Sequence, residues 1–161
     1  MRTAALTIAE KLRTVEKCPL FSGVPSAELA VLAEMMRTEY LRADEILFRA
    51  GEYSDSVYVV AAGTLNTFLP NDALPVRALS PGDLLGEYGL LANLTRTATV
   101  RASTDAVLLS LDYQRFRAFL LRFPEATLVM LKTAVARLVA AENKSSGVAD
   151  GSRTLFEDGG I

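Results

Sequence analysis

The sequence predicts an α+β fold, a roll or barrel of short β-strands with helices before and after it. Two observations carry this. Between Thr38 and Leu111, apolar residues alternate with period two, and Gly, Pro or Asp interrupts them about every eight to twelve residues. On either side of that stretch the spacing changes to three and four, the signature of helices. The 161 residues suit one domain able to bury a core, and half of them are apolar.

Leu6, Ala9, Leu12 and Val15 predict a helix over Thr3 to Lys17, ended by Pro19. Leu20 to Val24 reads as a turn. A second helix is expected from Ser26, its N-cap, with Leu29, Leu32, Ala33 and Met36 on one face. Strands are expected at Tyr40–Leu41, Glu45–Phe48, Val57–Val60, Thr64–Leu69, Val76–Leu79, Thr97–Ala102 and Val107–Leu111. Asp112 caps a helix through Leu121, with Phe116, Phe119 and Leu120 inward. A longer helix runs from Pro124 to about Asn143. Its apolar residues Leu128, Leu131, Val135, Leu138 and Ala141 suit either packing on the barrel or pairing with a partner helix. The organisation is a helix at 1–18, a domain at 19–143 and a polar, Gly-rich, flexible tail at 144–161.

Composition excludes several functions. The net charge is −2 with scattered basic residues, so no direct nucleic-acid binding is expected. There is no histidine, which removes His-based zinc sites, a Ser-His-Asp triad and the metal centre of a cupin-type oxygenase. No catalytic residue, cofactor or metal ligand is expected. The lone cysteine, Cys18, forms no intrachain disulfide and reads as a small buried apolar residue. Met1–Ala9 lacks the pattern of a signal peptide, and no apolar run approaches the roughly 18 residues needed to cross a bilayer. A cytoplasmic, non-membrane protein is the expectation.

The chemistry concentrates in Gly82–Ala102, where Gly86, Glu87, Tyr88 and Gly89 lead into a short apolar run, a polar turn and Arg96. Glycines let backbone N–H groups approach an anion, a helix N-terminus favours negative charge, and a guanidinium clamps it. Glu87 would repel a bare anion. It fits a ligand that carries a phosphate together with a hydroxyl able to donate to the carboxylate.

Several ordered segments make the chain resemble the cyclic nucleotide-binding domain family of catabolite-activator-type regulators, cyclic nucleotide-dependent kinases and gated channels. They are Pro19–Val24, Glu45–Glu52, Val57–Gly63 and the Gly86–Glu87 to Arg96 cassette, spread over Pro19 to Val139. The resemblance implies an antiparallel, jelly-roll-like β-roll with N-terminal helices and a C-terminal helical lid. It implies that Arg96 pairs with a cyclic phosphate and Glu87 accepts from the ribose 2′-hydroxyl. Gly86 allows the turn, backbone N–H groups near Tyr88 and Gly89 complete the phosphate-binding cassette, and Thr97 touches phosphate or purine edge. Lys132, Thr133 and Arg137 are the candidate lid contacts.

Tyr88 and Gly89 stand where the family has a small aliphatic residue and an alanine. Thr95 stands where many members have proline. The resemblance implies a non-enzymatic sensor of cAMP or cGMP, tilted towards cGMP by Thr97, that signals to an unidentified downstream protein. A homodimer through the last long helix is the candidate assembly. The alternatives are a ligand-less interaction module of the same fold, or the regulatory domain of a larger transcription factor, kinase or channel.

Overall fold

Thr7 and Glu10 fix where the chain becomes helical. In this computed structural model, which describes residues 4–87, 89 and 95–145, the Thr7 hydroxyl accepts from the Glu10 N–H and the Glu10 carboxylate accepts from the Thr7 N–H. This reciprocal cap starts α1 at Ile8, later than the apolar spacing predicts, and α1 runs to Lys17. Pro19–Phe21 is one 3₁₀ turn. Helix α2 is Ser26–Met35. The expectation that Ser26 caps it is corrected: Pro25 occupies the cap position, and the Ser26 hydroxyl donates instead to Glu16 at 3.3 Å.

Among the described residues eight strands follow: β1 (Arg37–Leu41), β2 (Ile46–Phe48), β3 (Ser56–Ala62), β4 (Leu65–Phe68), β5 (Arg77–Leu79), β6 (Leu84–Leu85), β7 (Thr99–Ala102) and β8 (Ala106–Asp112). They form two four-stranded antiparallel sheets, ordered β1-β8-β3-β6 and β2-β7-β4-β5. The two-residue β6 was not expected, since two leucines beside the glycine turn carry no readable alternation. It pairs Leu85 with Tyr58 and so fixes the turn that follows it to the middle of β3.

Alternation along the strands separates two cores. Val60, Leu65, Leu79, Leu85, Val100 and Leu108 fill the space between the sheets. Val57, Val59, Leu109 and Leu111 point the other way and pack with Leu29, Leu32, Phe116 and Phe119 of the helices. One sheet is therefore buried on both faces, which makes β3 and β8 almost continuously apolar.

Asp112 caps α3 (Tyr113–Arg122) as expected, its carboxylate accepting from the Arg115 N–H at 2.8 Å. Helix α4 is Pro124–Ser145. Its face towards the helical core is Ala126, Met130 and Ala134, small or unbranched residues that allow close approach to the Pro19–Val24 segment. Of the expected series, Leu128, Leu131, Val135 and Leu138 are exposed and do not pack on the barrel, whereas Ala141 is buried. The last helix takes in Lys144 and Ser145, which the sequence reading gave to the flexible tail; the rest of that tail and, apart from Gly89, the short helix expected after Glu87 lie outside the described residues.

Candidate functional site

Arg96 is built into the wall of the roll rather than laid on it. Its N–H donates to the Glu52 carbonyl and its own carbonyl accepts from the Gly51 N–H, both at 2.8 Å. Thr95 bridges to Tyr53 just before it. The side chain runs inward, 7% exposed, with the guanidinium 4.1 Å above the Phe48 ring and 5.7 Å from that of Tyr58. Burial pushes the Tyr58 hydroxyl above its ordinary range, the nearby Glu39 carboxylate adds to this, and the Arg96 charge opposes it.

One guanidinium nitrogen, Nη2, donates to the Ser56 carbonyl at 2.9 Å. Nε and Nη1 are buried and have no acceptor among the described residues. A buried cation with two unmet donors is costly unless an anion meets it, and charge-assisted pairing with an anion is what a guanidinium offers. The donor set therefore fits a phosphate.

The facing wall is the turn after β6. Gly86 adopts φ +88°, and a Cβ placed on it would lie 2.5 Å from Nη1 of Arg96 and 2.7 Å from the Ser56 carbonyl. Only glycine has both that backbone conformation and that little bulk. It lets the turn press directly on the guanidinium. Glu87 follows with its side chain 6% exposed, a buried carboxylate at the next position along. Gly89 is buried too. A Cβ there would meet Ser54 Oγ at 2.6 Å and the Tyr113 ring at 2.9 Å, which is the physical reason glycine stands where the resemblance leads one to expect alanine.

The structure thus brings Gly86, Glu87, Gly89 and Arg96 together. Tyr88 lies outside the described residues, and Thr97 is exposed beside the site. Among the lid candidates, Lys132 is exposed. Thr133 is half-buried, its hydroxyl donating to the Val129 carbonyl of its own helix. Arg137 is half-buried. The Cys18 thiol, at the end of α1, lies within electrostatic reach of both Glu87 and Arg137. Its pKa is pushed up to about 12, by burial first, with the Leu20 N–H and Arg137 lowering it and Glu87 raising it. Cys18 is the inert buried residue the sequence suggested.

Sequence reasoning missed Ser54, Ser56 and Tyr113, which touch the turn or the guanidinium through contacts 27 to 59 residues apart in the chain. No spacing rule brings a helix-initial tyrosine to a distant glycine turn. Phe48 was legible in part, since the alternation of β2 turns it inward.

Comparison with known proteins agrees with this geometry. The chain is 34% identical over 127 residues to a cyclic nucleotide-gated potassium channel of Mesorhizobium japonicum, covering 79% of this chain and 35% of the channel. The chain spans about a third or less of the curated relatives it matches first. Among solved structures it superposes with a TM-score of 0.73 and 27% identity on the N-terminal domain of a transcriptional regulator from Streptomyces coelicolor A3(2), covering 81% of this chain and 95% of that one. A co-crystal structure of the regulatory domain of Toxoplasma gondii PKA with cAMP matches with a TM-score of 0.63 and 27% identity, covering 70% and 44%. The family model for the cyclic nucleotide-binding domain matches residues 38–123, just over half of the chain. By fold and by these matches, the chain belongs to the cyclic nucleotide-binding domain family.

Proposed function

We propose that this chain is a non-enzymatic cyclic nucleotide sensor, with residues 19–143 as the binding domain. The observation that supports it best is the buried Arg96 guanidinium, with two unmet donors, pressed against the positive-φ Gly86 and followed by the buried Glu87. An anion alone would suit Arg96, and Glu87 beside it would not. A cyclic phosphate fused to a ribose answers both: Arg96 pairs with the phosphate, backbone N–H groups of Tyr88 and Gly89 cradle it, and Glu87 accepts from the 2′-hydroxyl. Thr97, exposed and next to the arginine, is the candidate contact for the phosphate or the purine edge. Its hydroxyl tilts the reading towards cGMP over cAMP. Lys132, Thr133 and Arg137 on α4 are the candidate groups that close over the base.

Occupancy would bias α4 between two positions, and a ligand shifts that balance by no more than its differential affinity for the two. The exposed series Leu128, Leu131, Val135 and Leu138 on the same helix would then pass the signal on. Its three-four spacing suits a second copy of the chain or a helix of a downstream protein.

Titration of the purified protein with cAMP and cGMP in separate calorimetric and thermal-shift series tests the reading. A saturable isotherm and a rise in melting temperature with ligand concentration are expected for at least one nucleotide. No heat and no shift with either at millimolar concentration would overturn it. Molecular mass in solution, read with and without nucleotide, tests the assembly.

A further inference from the structure

One hydroxyl ties together three segments that are remote in sequence. Tyr113 is the first residue of α3, and its backbone N–H donates to the Asp55 carbonyl at 2.9 Å. Its ring is partly buried against the helical core, and its hydroxyl donates to the Gly86 carbonyl at 2.5 Å. The same oxygen is hydrogen-bonded to the Ser54 hydroxyl. Since the tyrosine proton is committed to Gly86, Ser54 is the donor in that second bond. Ser54 is itself buried, and both hydroxyls fill the space beside the Gly89 Cα.

The consequence for the turn follows from peptide geometry. The Gly86–Glu87 peptide is planar and trans, so a carbonyl held towards Tyr113 forces the Glu87 N–H to point the opposite way. Gly86, at positive φ with no side chain, has the least intrinsic resistance to rotating that peptide. An outside restraint is needed there, and the tyrosine hydroxyl supplies it. We propose that Tyr113 is the positioning residue of the nucleotide site. It holds the Gly86–Glu87 peptide in the orientation that presents Glu87, and it makes the start of α3, and α4 beyond it, mechanically continuous with that turn. This rests on the reading of the site as a cyclic nucleotide pocket.

Tyr113→Phe removes the hydroxyl and keeps the ring; Ser54→Ala removes the second partner and keeps the tyrosine. Amide hydrogen exchange without ligand and nucleotide affinity are measured for both variants and for the wild type. The expected result in Tyr113→Phe is faster exchange at residues 86–89 with unchanged protection in β3 and β8. With it, Kd rises about threefold to tenfold, the loss of one neutral hydrogen bond. Ser54→Ala should move both readouts in the same direction by less. A merely structural tyrosine would instead speed exchange across the core in proportion to lost global stability.

Unchanged exchange at 86–89, or an unchanged Kd beside a wild type that binds, would overturn the proposal. If the wild type binds neither cAMP nor cGMP, the site reading fails by itself. Exchange at 86–89 then decides alone whether Tyr113 restrains the turn.

Discussion

The two walls of the site are made in different ways. Arg96 sits on the strand side, its backbone bonded to the Gly51–Glu52 turn and its guanidinium stacked on Phe48 and bonded to Ser56. Those partners all belong to the roll, so the cation is placed by the sheet framework. Gly86 sits on the helix side, its carbonyl accepting from Tyr113 at the start of α3, and Glu87 next to it lies within electrostatic reach of Cys18 at the end of α1, as does Arg137 on α4. In the proposed site a phosphate would meet both walls, Arg96 on the strand side and backbone N–H groups of the turn on the helix side, and a ribose hydroxyl would meet Glu87 on the helix side alone.

The largest effect is expected where the two walls touch. Gly86→Ala puts a methyl 2.5 Å from the Arg96 guanidinium and 2.7 Å from a backbone carbonyl, at a φ that a side chain resists. The left-handed conformation alone costs an L-residue about 1–2 kcal/mol, and the clash adds to it. Denaturant unfolding should show a loss of about 2 kcal/mol or more, with nucleotide binding lost by calorimetry. A variant that binds normally would mean the walls are not in contact during binding.

Arg96→Ala removes one wall and leaves the other. A hydrogen bond to a charged group contributes about 1.5–3 kcal/mol, so affinity is expected to fall about tenfold to several hundredfold. The fold should survive, because the turn keeps its bonds to Tyr113. Calorimetric titration of the folded variant, its melting curve still cooperative, checks both halves of that statement.

How much of this was written legibly in the chain follows the same division. The roll was readable because its strands alternate, and the sequence of β3 and β8 shows by unbroken apolar runs that one sheet is covered twice. Gly86, Glu87 and Arg96 were readable because one local segment holds the glycine, the carboxylate and the cation. What stayed hidden depends on long-range closure. Tyr113 meets Gly86 only because β8 pairs with β3 and β3 with β6, which sets the end of β8 beside the turn. The inward face of α4 was misleading in the sequence because its buried residues are Ala126, Met130 and Ala134, while larger leucines lie outside. Size is a poor guide where two helices pack closely.

Alkaline pH tests the helical core behind the site, through Cys18. The Cys18 thiol, pushed up to about 12 by burial, keeps its proton in the folded protein while the unfolded chain loses it from about pH 9. Over that interval the unfolded state binds fewer protons, so stability is full below pH 9 and falls as pH rises towards 12. Each unit is worth at most about 1.4 kcal/mol, giving up to about 2 kcal/mol between pH 9 and 10.5. Other groups also titrate there. The discriminating measurement is therefore the difference between wild type and Cys18→Ala in urea unfolding under reducing conditions. The wild type should lose more stability with rising pH, and parallel curves would remove Cys18 from the account.

The smallest effect isolates what the strand side adds beyond hydrogen bonds. Phe48 lies under Arg96 with its ring centroid 4.1 Å from the guanidinium carbon, and it is itself part of the core between the sheets. Phe48→Leu keeps an apolar, somewhat smaller residue there and removes the π face. The cation–π contribution at a desolvated site is about 1–2 kcal/mol, but it acts on Arg96 with or without ligand. Most of the loss should therefore appear as stability, about 1 kcal/mol by denaturant unfolding, the softer packing included. Nucleotide affinity should change less than about threefold, because Gly51, Glu52 and Ser56 still direct the side chain. A tenfold loss of affinity with little loss of stability would reverse the assignment. The ring would then be orienting the guanidinium for the phosphate, and the strand side would depend on aromatic contact as much as the helix side depends on Tyr113.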